Sequence, residues 1–254
     1  MNRKERISLF ERELSYIADN DLKTFCKQLL IEADDYFYTV PASSSGKYHP
    51  KFALGDGGLV RHTQAVAYFT NEFIRPELEF GTIDRRQGDL LVISAIAHDI
   101  KKQGDGVDGH TVKEHPALAS KFIQHVFDEY EFDGVTQSDI DFIRNVVESH
   151  MGPWQDPKPS SRHQLILFYA DFIASRKEIE GLDFISKGDT TAVEPVFKPV
   201  MTVEGYKFDF GKTRGCTIKE AYEKEPGYIK WIANKEDFGM TEVQKLVKEF
   251  LKTL

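Results

Sequence analysis

His98 and Asp99 stand side by side at the end of the apolar run Leu90 to Ala97, and His62, His115, His150 and Asp171 are spaced along the chain on either side. Neutral imidazoles and ionised carboxylates are directional ligands for a divalent ion, so these residues could complete one or two coordination shells. Two ions would bridge an activated water, hold phosphate oxygens and stabilise both the nucleophile and the leaving group of a displacement at phosphorus. His62, His98, Asp99 and Asp171 form the primary set, and His115 and His150 extend it towards a second ion. Asp171 lies inside LILFYADFIASR, where an unpaired carboxylate is costly to bury and a bound cation would make it tolerable.

Each residue also has a plainer reading. His62 could be a satisfied core histidine, and Asp171 could cap a helix or pair with Arg176. His115 could sit at a helix start, and His150 at a helix end favoured by the dipole. His49 and His110 could contact substrate, although a surface role suits them better. His125 and His163 carry no comparable signal.

The elements that must position these groups are mostly helical. Ile7, Phe10, Leu14 and Ile17 form one stripe and Leu22, Phe25, Cys26, Leu29 and Leu30 another, predicting two opening helices. The stretch VPASSSGKYHPKFALGDGG reads as a loop, broken by Pro41, Pro50 and its glycines. Val66, Phe69, Phe73 and Ile74 then predict a helix with His62 in its first turn. Leu90 to Ile100 is apolar nearly all round, as a central helix is. Pro116 places His115 at a helix start, and His150 ends the pattern Ile140, Ile143, Val146, Val147.

Composition narrows the class. The formal charge is -8 over 254 residues, yet residues 198–254 hold 11 basic and 9 acidic side chains against 22 and 32 elsewhere. Only that tail could welcome a polyanion by bulk electrostatics. Cys26 and Cys216 offer neither a disulfide framework nor a CxxC knuckle, which suits a reducing compartment. The N-terminal twenty residues lack a secretory pattern, and no apolar run is long enough to cross a bilayer, so a soluble cytoplasmic protein without a membrane partner is expected. Neither GDGGLVRH nor FGKTRG supplies a full P-loop cradle, and no serine has a nucleophile-elbow context.

The ordered pieces GGLVRHTQAV, ISAIAHDIKK, KEHPALAS, VVESH and LFYADFIASR make residues 59–177 resemble the HD-domain phosphohydrolase superfamily. The resemblance implies a mostly α, helical, metal-dependent hydrolase acting by metal-activated water on phosphate esters, frequently of nucleotides or nucleic acids. His62, His98, Asp99 and Asp171 match its first-metal positions, and His115 and His150 match positions that often hold another metal. Asp99 is thereby a catalytic candidate, and Lys102 is a second, matching a lysine that would neutralise substrate charge; Lys101 stands where the family usually has a small residue. Histidine-rich coordination points to one or two transition-metal ions, Mn, Fe, Ni or Zn, with Mg also compatible. GDGGLVRHTQAV also looks like the HD portion of bacterial 3'-to-5' exoribonucleases, and the ligand spacing is similar to that of small HD hydrolases of dinucleoside polyphosphates.

After residue 177 the pattern changes. Gly181, Gly188, Pro195 and Pro199 suggest a connection, YKFDF a short strand, Gly211 to Gly215 a turn, and EVQKLVKEFLKTL a helix, together predicting a small α/β module. FDFGKTRGCTIKEAYEKEPGYIKWI resembles the C-terminal module of exonuclease X-like proteins. The expected organisation is therefore a helical HD domain over 1–190 and a small exonuclease X C-terminal-like module over 200–254. In that module Lys212 and Arg214 could approach phosphates, and Tyr228 and Trp231 could stack a base or simply anchor a helix. The leading substrate is a nucleotide or short nucleic acid, with His110 a further candidate contact. Two alternatives remain open: a hydrolase of small nucleotides or dinucleoside polyphosphates whose C-terminal module packs or forms a homo-oligomer, and a catalytically silent nucleotide-binding regulatory module.

Overall fold

The computed structural model describes residues 1–43, 49–104, 106, 109–179, 203, 206–208, 212–235 and 241–253. The chain divides into two compact units, Met1–Thr190 and Thr191–Leu254. The connection expected around Gly181, Gly188, Pro195 and Pro199 lies outside the described residues, as do Asp209, Phe210 and Gly211.

The first unit is built from helices α1 (Arg3–Ser8), α2 (Glu11–Ser15), α3 (Asn20–Glu32), α4 (Gly58–Glu79), α5 (Arg85–Ala97), α6 (His115–Glu129), α7 (Gln137–Glu148) and α8 (Arg162–Ala174). The opening stripe, expected as one helix, is divided into α1 and α2 at Leu9 and Phe10. Phe10 is fully buried and stacks at 6.1 Å on Phe37, so the break delivers a large ring to the core.

Helix α5 lies at the centre as its apolar composition predicts: every residue from Gly88 to Ala97 is buried. It packs against α4 and α7, α4 also packs against α8, and α6 against α7. Burying Leu90, Leu91, Val92, Ile93 and Ile96 stabilises the unit by about 1.5–3 kcal/mol per side chain before entropic costs. Asp89, the charged residue of this buried run, accepts from the backbone N–H groups of Ala18 and Asp19 at 3.0 and 2.8 Å. A buried carboxylate that accepts such bonds keeps its desolvation tolerable while tying the entry of α3 to α5. Arg86 joins the same region: it pairs with Asp19 at 3.0 Å and with Asp139 of α7 at 2.7 Å.

The second unit differs from the α/β expectation. Its described residues form α9 (Ile218–Lys224), α10 (Pro226–Asn234) and α11 (Thr241–Leu251), with one antiparallel bridge between Lys207 and Thr217 and no sheet. Gly215 at φ +84° donates its N–H to Phe208 O, and Phe208 donates to Cys216 O. The apolar weight sits instead in the helices, where Ile218, Ala221, Ile229, Ile232 and Val247 are buried around Phe208. No helix among the described residues is long and apolar enough to cross a membrane.

Candidate metal centre

Four helix boundaries and one helix interior deliver the candidate ligands. His62 lies in the first turn of α4, and the geometry of that turn follows from GDGG. Gly57 takes φ +68°, which glycine adopts without strain, and a Cβ on Gly58 would overlap the carbonyl of Ala53. Arg61, beside His62, donates to the carbonyls of Phe52, Leu54 (2.8 Å) and Asp56 (2.9 Å) and so fastens the preceding loop to the helix start. His98 and Asp99 follow α5, His115 opens α6, His150 follows α7, and Asp171 lies within α8.

These residues converge. His62, His98, Asp99, His115 and His150 are each no more than 2 % exposed, and the Asp171 side chain is 19 % exposed. Asp99 lies between two histidine pairs. Its Oδ2 faces His98 Nε2 at 3.3 Å and His62 Nε2 at 3.7 Å, and its Oδ1 faces His115 Nε2 at 3.2 Å and His150 Nε2 at 3.7 Å. Asp171 Oδ1 closes the first side, 3.1 Å from His62 Nε2 and 3.9 Å from His98 Nε2.

The tautomers follow from the backbone. His98, His115 and His150 place Nδ1 at 2.7, 2.8 and 2.7 Å from the carbonyls of Ala95, Val112 and Val147, each three residues earlier. A carbonyl can only accept, so each Nδ1 carries the proton and each Nε2 turns its lone pair inward, the arrangement that orients histidine ligands. His115 Nε2 and His150 Nε2 then face each other at 3.2 Å, acceptor against acceptor. His62 Nε2, His98 Nε2 and Asp99 Oδ1 are likewise buried without a hydrogen-bond partner. Inward lone pairs that lack donors are what a divalent cation satisfies, so the donor set fits a metal. His62, His98 and Asp171 form one group able to hold an ion, and His98, Asp99 and His150 another.

The electrostatics are set by burial and by the two carboxylates. Burial drives the His62 and His150 pKa values down and keeps both rings neutral. Burial also opposes charge on His98, but Asp99 and Asp171 outweigh it and raise its pKa. Burial works against ionised Asp99 and Asp171 as well; Lys102 and His98 nevertheless hold Asp99 well below the usual carboxylate range, and His62 does the same for Asp171. Two ionised carboxylates within a largely buried cluster create a field that attracts positive charge.

Lys102, which could have been a solvent-facing helix-end charge, instead directs Nζ onto Asp99 Oδ2, with 13 % of its side chain exposed. Arg176 does not pair with Asp171 in the described structure: its Nε donates to Phe172 O at 3.1 Å. His49 departs from the surface role considered for it. Its ring packs 5.3 Å from His62, its Nε2 is 3.5 Å from Ser175 Oγ, and burial first, then His62 and Lys102, push its pKa down to about 3. No local pattern around His49 signals this, because its partners His62 and Ser175 belong to distant parts of the chain. His110 stands exposed on the surface. In the second unit Lys212 and Arg214 are exposed, and Tyr228 stacks on Trp231 at 5.7 Å with Lys235 Nζ 4.4 Å above the Trp231 ring.

Residues 59–175 match the HD domain family and residues 208–237 the exodeoxyribonuclease X-like C-terminal family. Exodeoxyribonuclease 10 of Escherichia coli K12 is 36 % identical over 45 residues, which is 18 % of this chain and 20 % of that protein. The protein of the same name from Escherichia coli O6:H1 gives the same values. The similarity therefore spans only a fifth of the length of these curated relatives. No solved structure matches the chain. The chain carries an HD domain followed by an exodeoxyribonuclease X-like C-terminal domain.

Proposed function

We propose that the chain is a metal-dependent phosphohydrolase that cleaves phosphate esters of nucleotides or short nucleic acids. The observation that carries this reading is the placement of Asp99 between two histidine pairs, with His62 Nε2, His98 Nε2 and Asp99 Oδ1 buried and lacking hydrogen-bond partners. His62, His98, Asp99 and Asp171 would hold one ion, and Asp99, His115 and His150 a second. When bound, divalent ions supply Lewis acidity that acidifies water and neutralises charge growing on phosphoryl oxygens. Histidine-rich donors favour Mn, Fe, Ni or Zn over Mg.

The chain's own groups have defined parts. The carbonyls of Ala95, Val112 and Val147 hold the His98, His115 and His150 rings in one tautomer and orientation. Lys102 balances Asp99 and, as a flexible ammonium with three donors, can extend towards a substrate phosphoryl oxygen and stabilise its negative charge. Residues 1–190 carry the reaction in this reading, and residues 200–254 assist substrate contact. Exposed Lys212 and Arg214, and the Tyr228–Trp231 stack, support contact with a phosphodiester chain and its bases; exposed His110 is a further candidate.

The test is metal content measured alongside product-resolved turnover of mononucleotides, dinucleoside polyphosphates and short DNA and RNA, with Mn2+, Ni2+, Zn2+ and Mg2+. Bound metal with specific phosphate release or ester cleavage is expected. Tight binding of these ligands without turnover of any would overturn the proposal in favour of a sensing module.

A further inference from the structure

Beside the centre lies an aromatic surface that core packing does not use. Trp154 is 62 % exposed and Tyr169 is 50 % exposed. The Trp154 ring stacks on Phe172, with centroids 6.2 Å apart and planes at 10°, and lies 6.1 Å from Phe168. Phe168 and Phe172 are themselves 6.0 Å apart on successive turns of α8, and the Arg176 guanidinium sits 4.2 Å over the Phe172 ring. Aliphatic side chains would have packed this edge as well, whereas these residues present a flat π face with a cation at its margin.

The surface is built onto the segments that carry candidate ligands. Phe172 follows Asp171 in α8, and Trp154 ends the short 3-10 turn Gly152–Trp154, four residues after His150. That turn is seated by Gly152, which takes φ +63° and lies so close to the Phe168 ring that a Cβ would overlap it. The position of Trp154 is therefore set by the same two backbone segments that set His150 and Asp171.

We propose that Trp154, backed by Phe172, is the stacking platform for the nucleobase of the substrate, and that Arg176 adds positive charge beside it. This rests on the phosphohydrolase reading and narrows its substrate class. The ester cleaved belongs to a nucleotide whose base is free to unstack, in a mononucleotide or a single-stranded end, rather than to a sugar phosphate or a base-paired interior. Stacking on a protein ring is sequence-tolerant, so the platform selects for a base without choosing which one.

Trp154 and Trp231 are the two tryptophans of the chain, so Trp231→Phe leaves Trp154 as sole reporter. Its fluorescence should be quenched saturably by adenosine 5'-monophosphate and not by ribose 5-phosphate at the same concentrations. In steady-state kinetics, Trp154→Leu should raise KM about tenfold for a short single-stranded oligonucleotide. It should leave KM for the abasic counterpart unchanged, and Trp154→Tyr should restore most of the loss. Turnover with no quenching, and the same KM for Trp154→Leu as for the parent, would overturn the platform and leave the hydrolase reading standing. Quenching by the nucleotide without turnover of any phosphate ester would support the platform and overturn the hydrolase reading.

Discussion

Asp99 and Lys102 form a part-buried ion pair, yet the proposed chemistry separates them sharply. Asp99→Asn removes the carboxylate facing both histidine pairs, so metal content should fall and turnover should drop by more than the roughly 10–100-fold that follows loss of an outer-sphere partner. Lys102→Met should retain the metal and lower kcat about 10²-fold, the usual cost of deleting one charge-stabilising donor. Elemental analysis and kinetics on both variants check the contrast. Full activity in folded, metal-replete Asp99→Asn would remove the proposed centre, and unchanged kcat in Lys102→Met would return Lys102 to a purely structural charge.

Individual elements are held to their tasks by contacts that single substitutions can reach. At the start of α4, Gly58→Ala places a methyl against the Ala53 carbonyl and should destabilise the protein by about 1–3 kcal/mol while weakening metal binding through His62. Gly227→Ala is the control: a Cβ there meets nothing within 4 Å, so thermal unfolding should be unchanged or slightly raised. Between α5 and α7 the holding contact is ionic. Burial favours protonated Asp139, but hydrogen bonds from Arg86 and Thr136 outweigh it and hold the carboxyl at about 2 instead of its ordinary 3.8. A depressed folded-state pKa stabilises fully above the unfolded value, so this contribution of about 2 kcal/mol should be present above pH 4 and lost as pH falls towards 2. Thermal unfolding should show Asp139→Asn clearly less stable than the parent at pH 7, with the gap closing near pH 2. A gap independent of pH would assign the contact to packing.

For the whole molecule, each unit has its own apolar core, and in the second it forms around Phe208, Ile229 and Val247. Deleting residues 200–254 should therefore leave the first unit folded and able to turn over mononucleotides, while cleavage of short DNA or RNA declines. Product-resolved assays on both substrate types read this directly. Equal retention of both activities would show that the C-terminal unit has no part in polymer contact.

The sequence by itself determined the candidate ligand types, their order and the helices that bear them. Each of those signals is local: Pro116 beside His115, the apolar run before His98, and the breakers after His150 are visible within one or two turns. GDGG was equally legible as a break, although its use in seating Gly58 against Ala53 was not. The mostly helical class followed from periodicity, whereas the α/β expectation for the tail failed because alternation in YKFDF cannot reveal whether a partner strand exists. Only the tertiary structure decided that Asp99 divides its oxygens between histidine pairs, that Lys102 turns inward and that His49 reaches His62. It alone left Trp154 exposed on Phe172. Those outcomes depend on distances between residues far apart in the chain, which are set by the joint packing of α4, α5, α6, α7 and α8 and not by any segment alone.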